Sequence, residues 1–348
     1  MDIKVKRNFI IVLFSILFSL LISINAFGQT IKATDIYLTP GGETIGIELQ
    51  TDVMVVDTYS VKSNNRKINP AKDAGIQTGD IILSIDGEKI NSIDDLKIQL
   101  INYKDSHNKP MNMIIKRNNK ILNKEIYPAI TNNNMISLGV YLRDNITGIG
   151  TLTFIYNDFY FGALGHQIQD KNVPNRENFN TKGVIKKAEV TSINKSVKGS
   201  PGAKKAIFSN ENVGRINNNT NTGIYGKIES NKYNNKQKLK IATQNEVRLG
   251  SAKILTVLDK DKVEAFDIRI IELQNQNTKD IKGIKIKITD DRLIKQTGGI
   301  IQGMSGSPII QNNRIVGAVT HVLVDDATIG YGVYIEFMLK DMGIDVVR

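Results

Sequence analysis

The 348-residue chain contains no cysteine, which excludes disulfide bridges, a thiol nucleophile and cysteine-ligated metal centres. Its three histidines, His107, His166 and His321, are too few for a histidine-rich metal cluster. No Walker-type phosphate loop or dinucleotide-binding glycine fingerprint is present. No cofactor and no metal are therefore expected. A long block of like charge is also missing. The net charge is +11, but the lysines are dispersed among asparagines and aromatic residues make up only 6% of the chain. Stacking partners for bases are scarce, so nucleic acid is not an expected partner. The densest basic stretch, Lys182 to Lys205, is the candidate contact with lipid headgroups. What remains is an ordinary globular composition, 41% hydrophobic and 23% charged.

The first thirty residues stand apart. "MDIKVKR" supplies three positive charges, and Phe9 to Ile24 is unbroken apolar sequence apart from serines. A basic cluster before an apolar run is the layout of an export signal. The uncharged stretch reaches Ile31, long enough to span a bilayer as well. The expectation for residues 1–30 is a signal or membrane-anchor segment, with the bulk of the chain outside the cytoplasm and either tethered or released.

Residues 40–130 read as one small domain. Gly41-Gly42 signals a turn, and the alternating apolar residues that follow predict strands. In "NPAKDAGIQTGDIILSIDGEKINSIDDLKIQLI", Asn69 to Ile101, a short helix precedes a Gly-bounded turn, a strand at Ile81 to Ile85 and an Asp86-Gly87 turn. A second helix begins near Ser92, whose hydroxyl can cap it, with Asp94 and Asp95 in its first turn. Met111 to Tyr127 predicts two strands around Asn118-Asn119. On "AGIQTGDIILSIDGEKI", Ala74 to Ile90, this region resembles a PDZ domain. The resemblance implies that Ile45, Gly46 and Ile47 form its peptide-binding loop, whose N–H groups would hold a C-terminal carboxylate. The competing expectation is an internal docking module without a free-peptide ligand.

Beyond Met135 the texture changes. Short apolar runs rich in Ile, Val, Thr and Tyr, such as "GIGTLTFIY", "AKILTVL" and "GIKIKIT", recur between glycines and asparagines. Their spacing predicts an all-β barrel or sandwich over 135–348, and the Asn-rich interval Asn210 to Asn235 predicts a loop or weak hairpin.

The cluster "GGIIQGMSGSPII", Gly298 to Ile310, needs a reason, because glycine in a folded interior costs conformational entropy. A nucleophile whose neighbouring N–H groups face a substrate is such a reason. Ser305 would be that nucleophile, with Gly303 and Ser305 supplying oxyanion donors. The base must be a histidine or a lysine. His166 follows a glycine at the end of a strand-like run, His107 sits in a generic polar loop, and His321 falls inside a strand pattern that suits a packed structural residue. For the group orienting the imidazole, Asp158, Asp170, Asp290, Asp291, Asp325 and Asp326 are all open from the residues alone. Asp290 and Asp291 also suit a helix cap before "DRLIKQ".

The segments "LRDNITGIGTLTF", "FGALGHQI", "TDDRLIKQTGGIIQGMSGSPIIQNNRIVGAVTH" and "GYGVYIEFML" resemble the peptidase domain of the stage IV sporulation protein B family. So does the order of export segment, PDZ domain and peptidase. The resemblance implies a mainly β protein: an α+β PDZ domain, then a chymotrypsin-like double β-barrel. It implies His166 as general base, Asp290 as orienting acid and Ser305 as nucleophile. It further implies a serine endopeptidase exported into the space between the forespore membranes. Such an enzyme cleaves itself and a membrane-bound regulator of a metalloprotease, which leads to activation of a late sigma factor. Two other readings compete. An HtrA-like quality-control protease would place its protease before the PDZ domain, and a membrane-tethered PDZ scaffold would have an inert β domain.

Overall fold

The computed structural model describes residues 29–64, 66–103, 109–169, 182–229 and 236–347. The expected export segment, His107 and Asp170 lie outside them. Among the described residues no helix is long and apolar enough to cross a membrane. Among the described residues strands dominate, and the α-helices are Pro70–Asp73, Ile93–Tyr103, Asp291–Thr297 and Ile335–Asp341.

Local chemistry builds the PDZ-like body. Asn69 Oδ1 accepts from Lys72 N at 3.1 Å, and Pro70 occupies the first helical turn of Pro70–Asp73. At the entry to Ile93–Tyr103, Ser92 Oγ accepts from Asp95 N and Asp95 Oδ2 accepts from Ser92 N, both at 3.1 Å. That is a reciprocal cap. Met111–Arg117 and Lys120–Ile126 are joined by Asn118 and Asn119 at φ 48° and 62°, the left-handed pair that a two-residue hairpin needs. Val53, Val55, Ile82, Ile85, Leu96 and Met113 form the core. Buried Asp80 receives Arg117 through two bonds of 2.6 Å, a bidentate pair that ties the Gly-bounded turn to a strand.

The rest of the chain forms two closed strand circuits. In the first, Val140–Tyr156 pairs with Thr44–Thr58, then follow Gly183–Asn194, Ala203–Thr220, Gly223–Ile228 and Tyr160–Ala163, which pairs back with Val140–Tyr156. Ile45, Ile47, Leu49, Leu152, Phe161 and Ile185 fill it. The second runs Gly250–Val257, Val263–Leu273, Ile284–Ile288, Asp326–Tyr334, Arg314–Leu323 and Pro308–Gln311, closing on Gly250–Val257. Alternation explains the inward faces: Phe266, Ile268 and Ile270 are buried, whereas Asp267 and Arg269 are exposed. Closure removes unpaired edges.

Several expectations need correction. Thr44–Thr58 is one continuous strand, and its first half belongs to the first circuit. Ile45, Gly46 and Ile47 lie opposite Gly150, Ile149 and Gly148 on one side and Lys187, Lys186 and Ile185 on the other. A segment paired on both edges offers no free row of N–H groups, so these residues do not form a carboxylate cradle. Val140–Arg143 lies against Met54–Thr58 instead, and the PDZ body is continuous with the strand circuit through both of these strands. Strands also come from before the PDZ region. Tyr37–Pro40 pairs with Val140–Tyr156, and Gln29–Lys32 with Ile344–Val347, so this body is not confined to 135–348. Of the two forms expected for the Asn-rich interval, loop or weak hairpin, the described part takes the hairpin. Ala203–Thr220 and Gly223–Ile228 form a paired hairpin, because ring closure outweighs the weak strand propensity of asparagine.

Candidate active site

Ser305 sits in the loop between Asp291–Thr297 and Pro308–Gln311 of the second circuit. Gly298 ends that helix at φ 75° and donates to Ile294 O, the usual left-handed terminator. Within the loop, Met304 N donates to Ile301 O, Gly306 N to Val319 O and Ser307 N to Met304 O. Among the described residues, the N–H groups of Gly303 and Ser305 find no backbone acceptor. These are the two donors expected for an oxyanion. Gly306 is irreplaceable sterically: its φ is +93° and a Cβ would lie 2.1 Å from Thr151 O.

Thr151, fully buried on Val140–Tyr156, ties this loop to the histidine. Its N donates to Ser305 O at 2.9 Å, its Oγ1 donates to Gly303 O at 2.7 Å, and its O accepts from Leu164 N at 3.3 Å. Thr153 Oγ1 holds Gly306 O at 2.8 Å. Leu164 and Gly165, at φ 72° and 73°, carry the chain out of Tyr160–Ala163 into His166. A buried leucine in the left-handed region is strained. Gly165 packs against Thr320, where a Cβ would lie 2.9 Å from Thr320 Cγ2.

His166 Nδ1 lies 3.0 Å from Gln167 O. A carbonyl only accepts, so Nδ1 carries the hydrogen and Nε2 is left as an unprotonated base. Burial lowers the His166 pKa, opposed by the Gln167 carbonyl, and keeps the ring neutral near pH 7. His321, on Arg314–Leu323, packs against it with ring centroids 5.3 Å apart and planes at 50°. Burial first, then the charges of His166 and Lys282, lower the His321 pKa to about 4 against the pull of Asp280. Ser305 Oγ donates to Thr320 O at 3.0 Å. In this arrangement the hydroxyl rests on a carbonyl.

Asp290 is engaged elsewhere. It caps Asp291–Thr297, with Oδ1 accepting from Arg292 N at 2.9 Å and Arg292 Nε at 3.1 Å. Oδ2 accepts from Arg292 Nη2 at 2.9 Å and Asp267 N at 3.2 Å. The Arg292 guanidinium, with these N–H donors, holds its pKa down at about 2. Thr151 thus links the Ser305 backbone to Leu164, two residues before His166, and among the described residues the Asp290 carboxylate is bonded to Arg292 and Asp267 rather than to the imidazole. Asp158 pairs with Lys238, while Asp291, Asp325 and Asp326 are exposed. Among the described residues, no three His, Asp or Glu side chains cluster where they could hold a metal ion.

The sequence matches the SpoIVB peptidase S55 family over residues 134–339, more than half of the chain, and a PDZ domain over 43–127. The chain belongs to the SpoIVB peptidase S55 family. It is a serine peptidase with a PDZ domain. A curated relative, "Putative zinc metalloprotease CPE1693" of Clostridium perfringens (strain 13 / Type A), is 36% identical over 96 residues, 28% of this chain and 27% of that protein. The chain thus spans about a quarter of that relative's length. Among solved structures, the Rv3671c protease of M. tuberculosis in its active form aligns with TM-score 0.32 and 17% identity, covering 57% of this chain and 75% of that one. Its inactive Ser343Ala mutant from M. tuberculosis H37Rv gives 0.31 and 17%, covering 56% and 80%.

Two clefts of this S55 peptidase border the Gly303 and His166 segments. One, of about 330 Å³, is lined by Ile149, Lys204, Phe208, Gln302 and Gly303. The other, of about 290 Å³, is lined by His166, Gln167, Asn221, Lys279, Asp280 and His321. Lys204, from the basic stretch, is buried with Nζ donating to Thr256 Oγ1 at 2.8 Å and Thr44 Oγ1 at 3.1 Å. Burial brings its pKa down to about 7. Sequence reasoning missed Thr151, Thr320, Lys204 and the His166–His321 contact. Each depends on pairing between strands distant in the chain. No local signal marks them: Thr151 and Thr320 are ordinary interior positions of Val140–Tyr156 and Arg314–Leu323.

Proposed function

We propose that this S55 peptidase is an exported endopeptidase of the chymotrypsin-like double β-barrel type, with Ser305 as nucleophile and His166 as general base. The Gly303 and Ser305 N–H groups would receive the oxyanion. The observation that carries this reading is the Thr151 bridge. One buried residue holds the Gly303 and Ser305 carbonyls and the backbone two residues before His166, which supports a base and a nucleophile meeting at the seam of two strand circuits. The proton passes from Ser305 Oγ to His166 Nε2 as Oγ bonds to the scissile carbonyl carbon, and then to the leaving amine.

In the same reading the enzyme cleaves itself and a membrane-associated regulator of a metalloprotease, in the signalling between compartments that activates a late sigma factor during endospore formation. Support comes from the family membership, and from the basic cluster and apolar run at the N-terminus, which direct the domains across the cytoplasmic membrane. The place of action is then the space between the forespore membranes. The PDZ body acts as an internally docked module, because the strand expected to cradle a peptide terminus is engaged in the catalytic body.

The test is mass spectrometry of the full chain, wild type beside Ser305→Ala, after exposure to a fluorophosphonate. Wild type should carry the adduct on Ser305 and show self-cleavage fragments, and Ser305→Ala should show neither. An intact, unlabelled wild-type chain would support the inert scaffold instead, a reading favoured by the resting bond of Ser305 to Thr320.

A further inference from the structure

We propose that Lys204 is a positioning residue for the oxyanion pocket: its side chain, anchored at the tip in both strand circuits, holds Gly303 so that the N–H of that glycine stays aimed at the reacting carbonyl. This rests on the reading of Ser305 as nucleophile and Gly303 as an oxyanion donor.

The backbone provides the first hold. Lys204 N donates to Gln302 O at 3.0 Å, and Gln302 N donates to Gly202 O at 2.8 Å. Both polar backbone groups of the residue before Gly303 are thus tied to residues 202–204. The side chain provides the second. A Cβ at Gly303 would fall 3.1 Å from Lys204 Cδ and 3.2 Å from Lys204 Cβ, which sets the aliphatic stem against the glycine. Beyond the stem, Nζ donates to Thr44 Oγ1 at 3.1 Å and to Thr256 Oγ1 at 2.8 Å. Thr44 begins Thr44–Thr58 of the first circuit, and Thr256 lies on Gly250–Val257 of the second. One side chain therefore links the two circuits and touches Gly303 between its ends.

Gly303 needs such a hold. Its φ is +94°, its carbonyl accepts from Thr151 Oγ1, and among the described residues its N–H has no backbone acceptor. Glycine is the least restricted of residues, and a misplacement of about 1 Å at a reacting centre can cost about 100-fold in rate.

A lysine is also a costly residue in this place. It is buried, and among the described residues its ammonium bonds to hydroxyls and to no carboxylate. Burial lowers its pKa to about 7. Methionine would fill much the same volume without desolvating a charge. A charge kept despite that penalty, in contact with one of two oxyanion donors, breaks a local rule where function calls for it.

The experiment follows fluorophosphonate labelling of Ser305 in the full chain near neutral pH over a range of probe concentrations. This separates the maximum labelling rate from the half-saturating concentration, and thermal melting reports folding. Wild type is compared with Lys204→Met, Thr256→Val and Thr256→Ser. Lys204→Met keeps the stem and loses both bonds to the threonines. It should melt no lower than wild type, yet its maximum rate should fall about 10- to 100-fold, short of the roughly 100- to 1,000-fold for a donor removed outright. The half-saturating concentration should stay within about twofold, because an oxyanion donor acts on the transition state rather than on the resting complex. Thr256→Val should lower the maximum rate in the same manner, and Thr256→Ser, which restores a hydroxyl, should recover most of it. A folded Lys204→Met with the wild-type maximum rate would overturn the assignment. So would a loss lying wholly in the half-saturating concentration, which would make Lys204 a wall of the probe-binding cleft. If Lys204→Met does not fold, a Thr256→Val that labels like Thr256→Ser would do the same. A wild-type chain that never labels would reject the peptidase reading itself, whereas a labelling wild type with indifferent variants rejects only the role of Lys204.

Discussion

The two ends of the segment from Asp290 to Ser305 treat their polar groups in opposite ways. At Asp290, four donor contacts reach the two carboxylate oxygens, and every one secures a helix start or a neighbouring strand. Around Ser305, among the described residues, the N–H groups of Gly303 and Ser305 lack backbone acceptors, His321 Nδ1 has no partner, and the nearby Lys204 ammonium is buried against two hydroxyls. A chain keeps incompletely satisfied polar groups only where the surrounding structure holds them in place, and such places tend to be functional. The contrast teaches that proximity in sequence to a nucleophile says little about a carboxylate's job, whereas the hydrogen bonds it already makes say a great deal.

The largest effect that would break this contrast is at His166. His166→Ala should lower Ser305 labelling by on the order of 10⁴-fold, the scale at which loss of a correctly held base acts. The melting temperature should be nearly unchanged, because the ring's hydrogen bond shown is one local contact with Gln167. Labelling at the wild-type rate in His166→Ala would place the base elsewhere, and the unsatisfied groups of the seam would lose their explanation.

Next in size is Lys204, where stability rather than rate is read. Its folded pKa, about 7, lies below the ordinary 10.5, so the unfolded chain binds the proton more tightly. The cost of burying the charge is fully present below about pH 7 and fades as pH rises toward 10.5. A depression of this size corresponds to a penalty on the order of 5 kcal/mol. Urea unfolding of the wild type should therefore show stability rising above pH 7, a slope that Lys204→Met should lack. At pH 6 the variant should be the more stable by about 2 kcal/mol, once the lost bonds to Thr44 and Thr256 are deducted. Parallel pH curves would show that the ammonium is well solvated.

Much of the fold was legible because it is local. The Asn69, Ser92 and Asn118-Asn119 signals act within a few residues, and the PDZ-like elements formed where they pointed. The strand texture beyond Met135 was equally readable. Pairing was not, because ring closure joins segments as distant as Thr44–Thr58 and Gly183–Asn194. That is why Ile45, Gly46 and Ile47 read as a loop and emerged as an interior strand. Gly303 and Ser305 were legible because glycine clusters mark special backbone. His321 read as an ordinary strand residue, which it is. Its ring contact with His166 depends on the turn through Leu164 and Gly165 in left-handed conformation, which no local pattern announces. Asp290 was open to two readings from the start, and its cap is the one seen.

The smallest expected effect sharpens the other side of the contrast. Asp290→Asn keeps a side-chain oxygen that can still accept from Arg292 N, but loses the charge that holds the guanidinium. Since Arg292 is well exposed, water screens that pair, and the loss should be about 1 kcal/mol at pH 7. Its pH dependence is distinctive. A carboxyl lowered to about 2 contributes stability that is complete above the ordinary carboxyl range and disappears as pH falls toward 2. Wild type and Asp290→Asn should therefore converge in acid and separate above about pH 4, as followed by chemical unfolding. Ser305 labelling at neutral pH should fall far less than in His166→Ala. A collapse of labelling comparable to that of His166→Ala, in a variant that still melts cooperatively, would mean that the carboxylate leaves Arg292 during catalysis and orients the base after all.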